Sequence, residues 1–196
     1  MYNVAHSGLD FSGWVQRWSD LVPVGGTVLD IACGHGRHMR WFAGRGHAVT
    51  GVDRSSEAIA AVGRLGEAVL ADIESAPWPF MHGAPATPAT GGATPRTFDA
   101  VVVTNYLWRP LLPTIAQSIA PGGVLIYETF AAGNETVGKP SRPDFLLQPG
   151  ELLRAFNKLR VVAFEEGFMQ APDRFVQRLA AVNEQTALVP ARYPLK

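Results

Sequence analysis

The apolar positions of this chain follow two periods that succeed one another. Short runs rich in β-branched residues give way to stretches in which apolar residues recur every three or four positions. FSGWVQRWSDLV sets Trp14, Val15, Trp18, Leu21 and Val22 at helical spacing. TVLDIA (27–32) reads as a buried strand, GRHMRWFAGRG (36–46) as a helix closed by Gly44 or Gly46, and HAVTGVD (47–53) as a strand. SSEAIAAVGRL (55–65) predicts a helix capped by Ser55 or Ser56. EAVLAD (67–72) and the strongly β-branched FDAVVVTNY (98–106) predict strands. RPLLPTIAQSIAPGG (109–123) reads as a helix ended by Pro121-Gly122-Gly123, and VLIYETF (124–130) as a strand. PGELLRAF (149–156) is a helix with Pro149 near its first turn. LRVVAFEEGF (159–168) and RFVQRLAAVN (174–183) are two closing strands.

Alternation of this kind predicts a parallel sheet with helices on both faces. The last two strands are joined by too few residues for a helical crossover, so they should pair antiparallel. A length of 196 residues suits a single domain, 1–196, with a helical N-terminal cap over 1–25. Met81 to Thr97, rich in Pro, Gly, Ala and Thr, interrupts the pattern and reads as a flexible inserted surface loop.

Composition narrows the function classes. The formal net charge is zero, so no global basic field directs the chain to nucleic acid or an anionic membrane. The single cysteine, Cys33, excludes an intrachain disulfide and suits a reducing compartment. The N-terminus lacks a basic segment followed by an apolar run. No apolar run approaches the roughly 18 residues of a membrane span. A cytoplasmic protein is the expectation.

The chemistry concentrates between Thr27 and Ser55. Asp30 ends the first strand at the carboxyl edge, where open α/β sheets bind ligands. Gly34 and Gly36 in the following turn let backbone approach a ligand, and the helix start at Arg37 suits a carboxylate or phosphate. Asp53 ends the second strand, where an acid accepts from ribose hydroxyls, with Arg54 beside it. A nicotinamide dinucleotide and S-adenosylmethionine both use such a frame. The dinucleotide fingerprint wants a small residue where Met39 stands. Asp30 would repel a pyrophosphate but suits the ammonium of a methionine. Asp72, in ADI, ends the third strand, where it accepts from an adenine amino group while the Ile73 N–H donates to a ring nitrogen. His35 and His38 flank the turn, but with one cysteine and no nearby acid pair no metal site is expected. His38 is read as a group near the methionyl carboxylate or on the surface, and Arg37 as that carboxylate's partner or a solvated helix-start residue.

In this order and spacing the motifs resemble the class I S-adenosylmethionine-dependent methyltransferases, from about Trp14 onward. VLDIACGHGRH resembles the first motif, GVDRS the ribose acid, ADI the adenine acid, and FDAVVVTNYL and APGGVLIYETF the fourth- and fifth-strand motifs. Ala32 stands where many members carry a glycine. The resemblance implies a Rossmann-like three-layer α/β sandwich, a seven-stranded mostly parallel sheet with an antiparallel last strand. It also implies S-adenosylmethionine as cofactor, held by Asp30, Ala32, Gly34, Gly36, Arg37, Asp53, Arg54, Asp72, Ile73 and Asn105. PGELLRAFNKLRVVAFEEGF resembles the tellurite-resistance-type and related small-molecule branches. TNYLW lacks the proline pair of the adenine amino-methyltransferases.

The acceptor should then lie beyond the sulfonium, at the ends of the strands 98–106 and 124–130. Tyr106, Arg109 and Glu128 are the acceptor-side candidates, with Trp108, Tyr127 and Phe130 near them. A guanidinium at Arg109 would suit an anionic acceptor, with Glu128 as its ion-pair partner or as a base. A small-molecule methyltransferase is the leading reading. An RNA- or protein-modifying enzyme with a rim of Lys139, Arg142 and Arg154, a non-catalytic cofactor-binding module, and an NAD-dependent oxidoreductase are the alternatives.

The composition of the insert generates one test. Replacing Gly83–Thr94 with a short Gly-Ser linker should leave fold and cofactor affinity intact, because small turn-forming residues bury little. A large drop in melting temperature or affinity would make the insert a structural element.

Overall fold

The computed structural model describes residues 11–82, 94–185 and 191–195. Its strands are β1 (Thr27–Ile31), β2 (Ala48–Asp53), β3 (Glu67–Leu70), β4 (Met81–His82), β5 (Thr94–Pro95), β6 (Phe98–Thr104), β7 (Ile119–Phe130), β8 (Arg160–Met169) and β9 (Arg174–Val182). The helices are α1 (Gly13–Trp18), α2 (Arg37–Ala43), α3 (Ser56–Val62), α4 (Leu112–Gln117) and α5 (Glu151–Ala155). Seven strands form one sheet in the order β3-β2-β1-β6-β7-β9-β8. Pairing is parallel from β3 to β7, and β9 runs antiparallel to both β7 and β8. This is the expected Rossmann-like sandwich, with the closing pair antiparallel as the short connection requires.

The central strands read as unbroken apolar runs because both of their faces are covered. Ala100 and Val102 of β6 join Trp14, Trp18, Met39 and Phe42 in one core layer. Val101 and Val103 join Leu125, Ile115, Leu152 and Phe156 in the other. Helices α1 and α2 therefore cover one face, and α4 and α5 the other. Each large side chain so buried contributes roughly 1.5–3 kcal/mol.

Two predicted boundaries move. The helix expected over 109–123 divides into a 3-10 turn (Arg109–Leu111) and α4, and β7 already begins at Ile119. The Ser118 hydroxyl turns back to the Thr114 carbonyl, closing the helix. Gly122 and Gly123 then exchange backbone hydrogen bonds with Asn183 at 2.7 and 2.9 Å, which draws the Pro-Gly-Gly segment into the sheet. The N-terminal helix is also shorter than its apolar spacing suggested, with a 3-10 turn over Ser19–Leu21. The insert leaves and rejoins the domain through the antiparallel pairing of β4 with β5. Its middle, 83–93, lies outside the described residues, as does 1–10 of the N-terminal cap.

Gly51 of β2 sits against the sulfur atoms of Met39 and Cys33, which any Cβ there would overlap. Gly51→Ala should therefore destabilise the protein by about 1–3 kcal/mol, the usual cost of overpacking. Denaturant unfolding with an unchanged midpoint would show that α2 shifts freely over the sheet.

Candidate active site

The turn after β1 is built from left-handed backbone. Ala32, Gly34 and Gly36 have φ of 54°, 52° and 70°. At Gly36 a Cβ would also overlap the Val62 side chain. Ala32 bears the same conformation with a side chain, at a cost of about 1 kcal/mol, which explains why glycine suits this position.

Asp53, at the end of β2, holds this turn. Its Oδ2 accepts the Gly34 N–H at 2.8 Å and its Oδ1 the Ser55 N–H at 2.9 Å. Each oxygen keeps a further acceptor site. The cap of α3 is Ser55, whose hydroxyl accepts from the Ala58 N–H at 3.2 Å. Asp53 is thus not required as a helix cap.

A cleft of about 220 Å³ opens beside it, lined by Ala32, Asp53, Arg54, Ala71, Asp72, Ile73, Glu74 and Tyr106. Five of the predicted cofactor residues, Ala32, Asp53, Arg54, Asp72 and Ile73, are brought together here. Gly34, Gly36, Asp30, Arg37 and Asn105 lie outside its walls. Asp72 also organises its own turn: its carboxylate accepts from the Ser75 hydroxyl at 2.8 Å and the Glu74 N–H at 3.1 Å. These bonds, the hydroxyl's first, hold its carboxyl below the usual range.

Tyr106 requires a correction. It was expected on the acceptor side, yet it lines the cleft with Asp53 and Asp72. The cause is Asn105, whose φ of 54° turns the chain just after β6, while its N–H donates to the Glu128 carbonyl at 2.9 Å. Burial, with the nearby charge of Glu74, raises the Tyr106 hydroxyl far above its ordinary range. Ala71 and Glu74 were not anticipated, and only their proximity in sequence to Asp72 could have suggested them.

A second polar group lies on the α1 and α2 face of the same edge. Thr104, Glu128, Arg178 and Glu165 form one row in register across β6, β7, β9 and β8. Glu128 is 1% exposed. It accepts from the Ser12 hydroxyl at 3.2 Å, and its Oε2 lies 2.7 Å from Arg178 Nε. Arg174 approaches its Oε1 at 3.5 Å. Above the row, Arg37 donates to the Thr104 hydroxyl at 3.2 Å.

His38 is not a surface group but 2% exposed. Its Nε2 accepts the Ser12 N–H at 3.2 Å, which leaves the ring proton on Nδ1, 3.4 Å from Thr104 Oγ1. Burial, aided by Arg37, pushes its pKa down to about 3, so the ring is neutral.

Arg109 and Glu128, which one of the two readings of Glu128 made partners, are separate. Arg109 pairs with Glu151 through two hydrogen bonds of 2.7 and 3.0 Å and donates to the carbonyls of Asp144 and Leu146. Four of its donors thus clamp the segment before α5 to the turn after β6. That geometry is structural and does not present a guanidinium to an acceptor. The side chains that do gather at the edge, Ser12, Thr104, Arg174 and Arg178, were missed. Their one signal was a pair of arginines four positions apart, on one face of a mostly apolar strand pattern.

Asp30 completes the site. It is 2% exposed, and its Oδ2 has no hydrogen-bond partner. Burial raises its pKa to about 7, against the lowering influence of Arg37 and the Met39 N–H. An unpaired buried carboxylate oxygen beside a glycine turn fits a cationic group such as the ammonium of S-adenosylmethionine.

Comparison with known proteins places the chain in a family. A family described as "Methyltransferase domain" matches residues 8–175. A ubiquinone biosynthesis O-methyltransferase of Burkholderia orbicola (strain MC0-3) is 31% identical over 122 residues, 60% of this chain and 49% of that protein. The chain thus spans about half the length of that relative. TehB from Haemophilus influenzae superposes with a TM-score of 0.68 at 17% identity, covering 91% of this chain and 64% of that one. A TehB-like SAM-dependent methyltransferase from Corynebacterium glutamicum gives 0.61 at 18% identity, covering 88% of each chain. At these identities the two structures show a shared fold.

Asp30 generates a pH test. Its carboxyl ordinarily ionises near 3.8 and here near 7. Between those values the folded state holds more protons than the unfolded, so stability falls as pH rises and levels off above about 7. A bound ammonium favours the carboxylate. Cofactor binding should therefore tighten as pH rises through about 7 and release a proton. Calorimetry in two buffers of different ionisation enthalpy measures that proton. A pH-independent affinity, equal in Asp30→Asn, would remove Asp30 from the ammonium site.

Proposed function

The chain belongs to the methyltransferase-domain family, and from that premise we propose that it transfers a methyl group from S-adenosylmethionine to a small molecule. The observation that carries this reading is the edge formed by β1, β2 and β3. There Asp53 braces the glycine turn and an unpaired buried carboxylate oxygen stands beside it. When bound, S-adenosylmethionine supplies a methyl group already activated on its sulfonium. Asp53 would accept from the ribose hydroxyls, Asp72 and the Ile73 N–H would meet the adenine, and Asp30 would hold the ammonium. Arg37, next to Asp30 at the start of α2, would hold the methionyl carboxylate. Tyr106 would close the adenosine half of the cleft.

The protein's own contribution is then to fix the two reactants in line and exclude water. A nucleotide pyrophosphate fits the same turn poorly, because Asp30 would repel it. Two members of the basic rim considered for a macromolecular acceptor are engaged locally. Arg142 pairs with Asp144 and Arg154 donates to the Pro149 carbonyl, which favours the small-molecule reading.

Titration with S-adenosylmethionine, S-adenosylhomocysteine and NAD tests the cofactor, and a methyl-transfer screen over small molecules tests the reaction. Asp53→Ala should weaken S-adenosylmethionine binding by about 1.5–3 kcal/mol, the range for hydrogen bonds to a charged group. Unchanged affinity in a variant that melts normally would take Asp53 out of the ribose site.

A further inference from the structure

The α1 and α2 face of the edge gathers three guanidinium groups, Arg37, Arg174 and Arg178, among the acids Asp30, Glu128 and Glu165. Arg178 is held between two carboxylates: its Nε lies 2.7 Å from Glu128 Oε2 as an ion pair, although not in hydrogen-bond geometry, its Nη1 donates to Glu165 at 3.1 Å, and its Nη2 lies against Met169 Sδ. Arg174 is held more weakly. Its contact with Glu128 is long, at 3.5 Å, and its Nε is buried with no hydrogen-bond partner. Its charge also opposes that of Arg37 nearby. An unpaired buried guanidinium N–H beside a second cation is unfavourable until an anion enters.

The groups that could serve as a base at this edge are already engaged. Glu128 accepts from Ser12 between two arginines. Both nitrogens of His38 face partners. Asp30 belongs to the cofactor ammonium, and Tyr106 lines the adenosine cleft. None of these described residues is placed to take a proton from an acceptor.

We propose that the acceptor binds as an anion, its nucleophilic atom held by Arg174, and that no proton leaves it during methyl transfer. This rests on the methyltransferase reading of the same edge. The anion's lone pair forms the bond to the methyl carbon while the carbon–sulfur bond breaks and its electron pair stays on sulfur. An anion and a sulfonium thus become two products, each with one charge fewer, and no base is required. The acceptor's proton is lost to solvent earlier, on binding beside the guanidinium. The chemistry points to a thiol or an acidic hydroxyl.

The test uses 4-nitrothiophenol and 4-nitrophenol, whose anions absorb visible light, with protein saturated by S-adenosylhomocysteine. Absorbance against pH reads the ionisation of the bound probe without any turnover. The wild type should favour the bound anion by about tenfold over free solution, one pK unit. Arg174→Gln should abolish that preference, and Arg174→Lys should keep part of it. S-adenosylhomocysteine affinity should change less than about twofold in both variants, a shift too small to reflect a lost charged contact. The probe that binds as its anion tells whether the site takes sulfur or oxygen. An ionisation unmoved by Arg174→Gln, or failure of both probes to bind, overturns the proposal. A tenfold or greater loss of S-adenosylhomocysteine affinity in Arg174→Gln does so too, since Arg174 would then serve the cofactor. A wild type that does not bind S-adenosylhomocysteine would instead overturn the cofactor reading itself.

Discussion

The burial of Glu128 is the constraint on which the site depends. A carboxylate 1% exposed survives only if its charge and its lone pairs are met. Three residues from two elements supply this: the Ser12 hydroxyl at the start of α1 donates to Oε1, and Arg178 and Arg174 of β9 balance the charge. Arg178 continues to Glu165 of β8, and Glu165 pairs with Arg17 of α1 at 2.8 Å. The first helix is thereby tied at both ends to one row of the sheet. Arg17 also lies over the rings of Trp14 and Trp18, which anchor α1 in the core. Removing one member of such a buried group leaves its partner's charge exposed to low dielectric, at about 3–5 kcal/mol.

The same row supplies the site with its electrostatic character. Thr104 stands between Arg37 and the neutral His38, so the sheet edge presents donors and cations toward the space above it. Asp30 is the counterweight. Burying it costs stability at neutral pH, and that cost is relieved by a ligand bearing a positive charge. A site of this kind gives up some folding free energy and recovers it as affinity for its ligand.

Division of labour between the faces follows from strand alternation. The positions of β7 that point toward α1 and α2 run Val124, Ile126 and then Glu128, apolar until the edge and charged at it. Those that point the other way include Leu125 and Tyr127, which stay in the core under α4 and α5. Arg109 lies on that second side and is spent on Glu151. Clamping the 143–146 segment is a packing function, and it keeps the turn after β6 in place beneath Tyr106.

Much of this was legible along the chain. The strand and helix periods, the antiparallel closing pair, the glycine turn and the acids Asp30, Asp53 and Asp72 all depend on local residue patterns. A strand that ends in an acid places it at the carboxyl edge whatever packs around it. Other features were decided only by the tertiary structure. Tyr106 turned into the cleft beside Asp53 and Asp72 because Asn105 took a left-handed conformation held by the Glu128 carbonyl. Arg109 found Glu151, 42 residues away, and Glu128 found Ser12, 116 residues away. Arg174 and Arg178 reached the site from a strand that local pattern marks only as a closing strand, mostly apolar. Hydrophobic periodicity specifies which face a residue takes, because that depends on its neighbours in sequence. Which charge meets which depends on strand order and register across the whole sheet, and those are settled only when the sheet assembles.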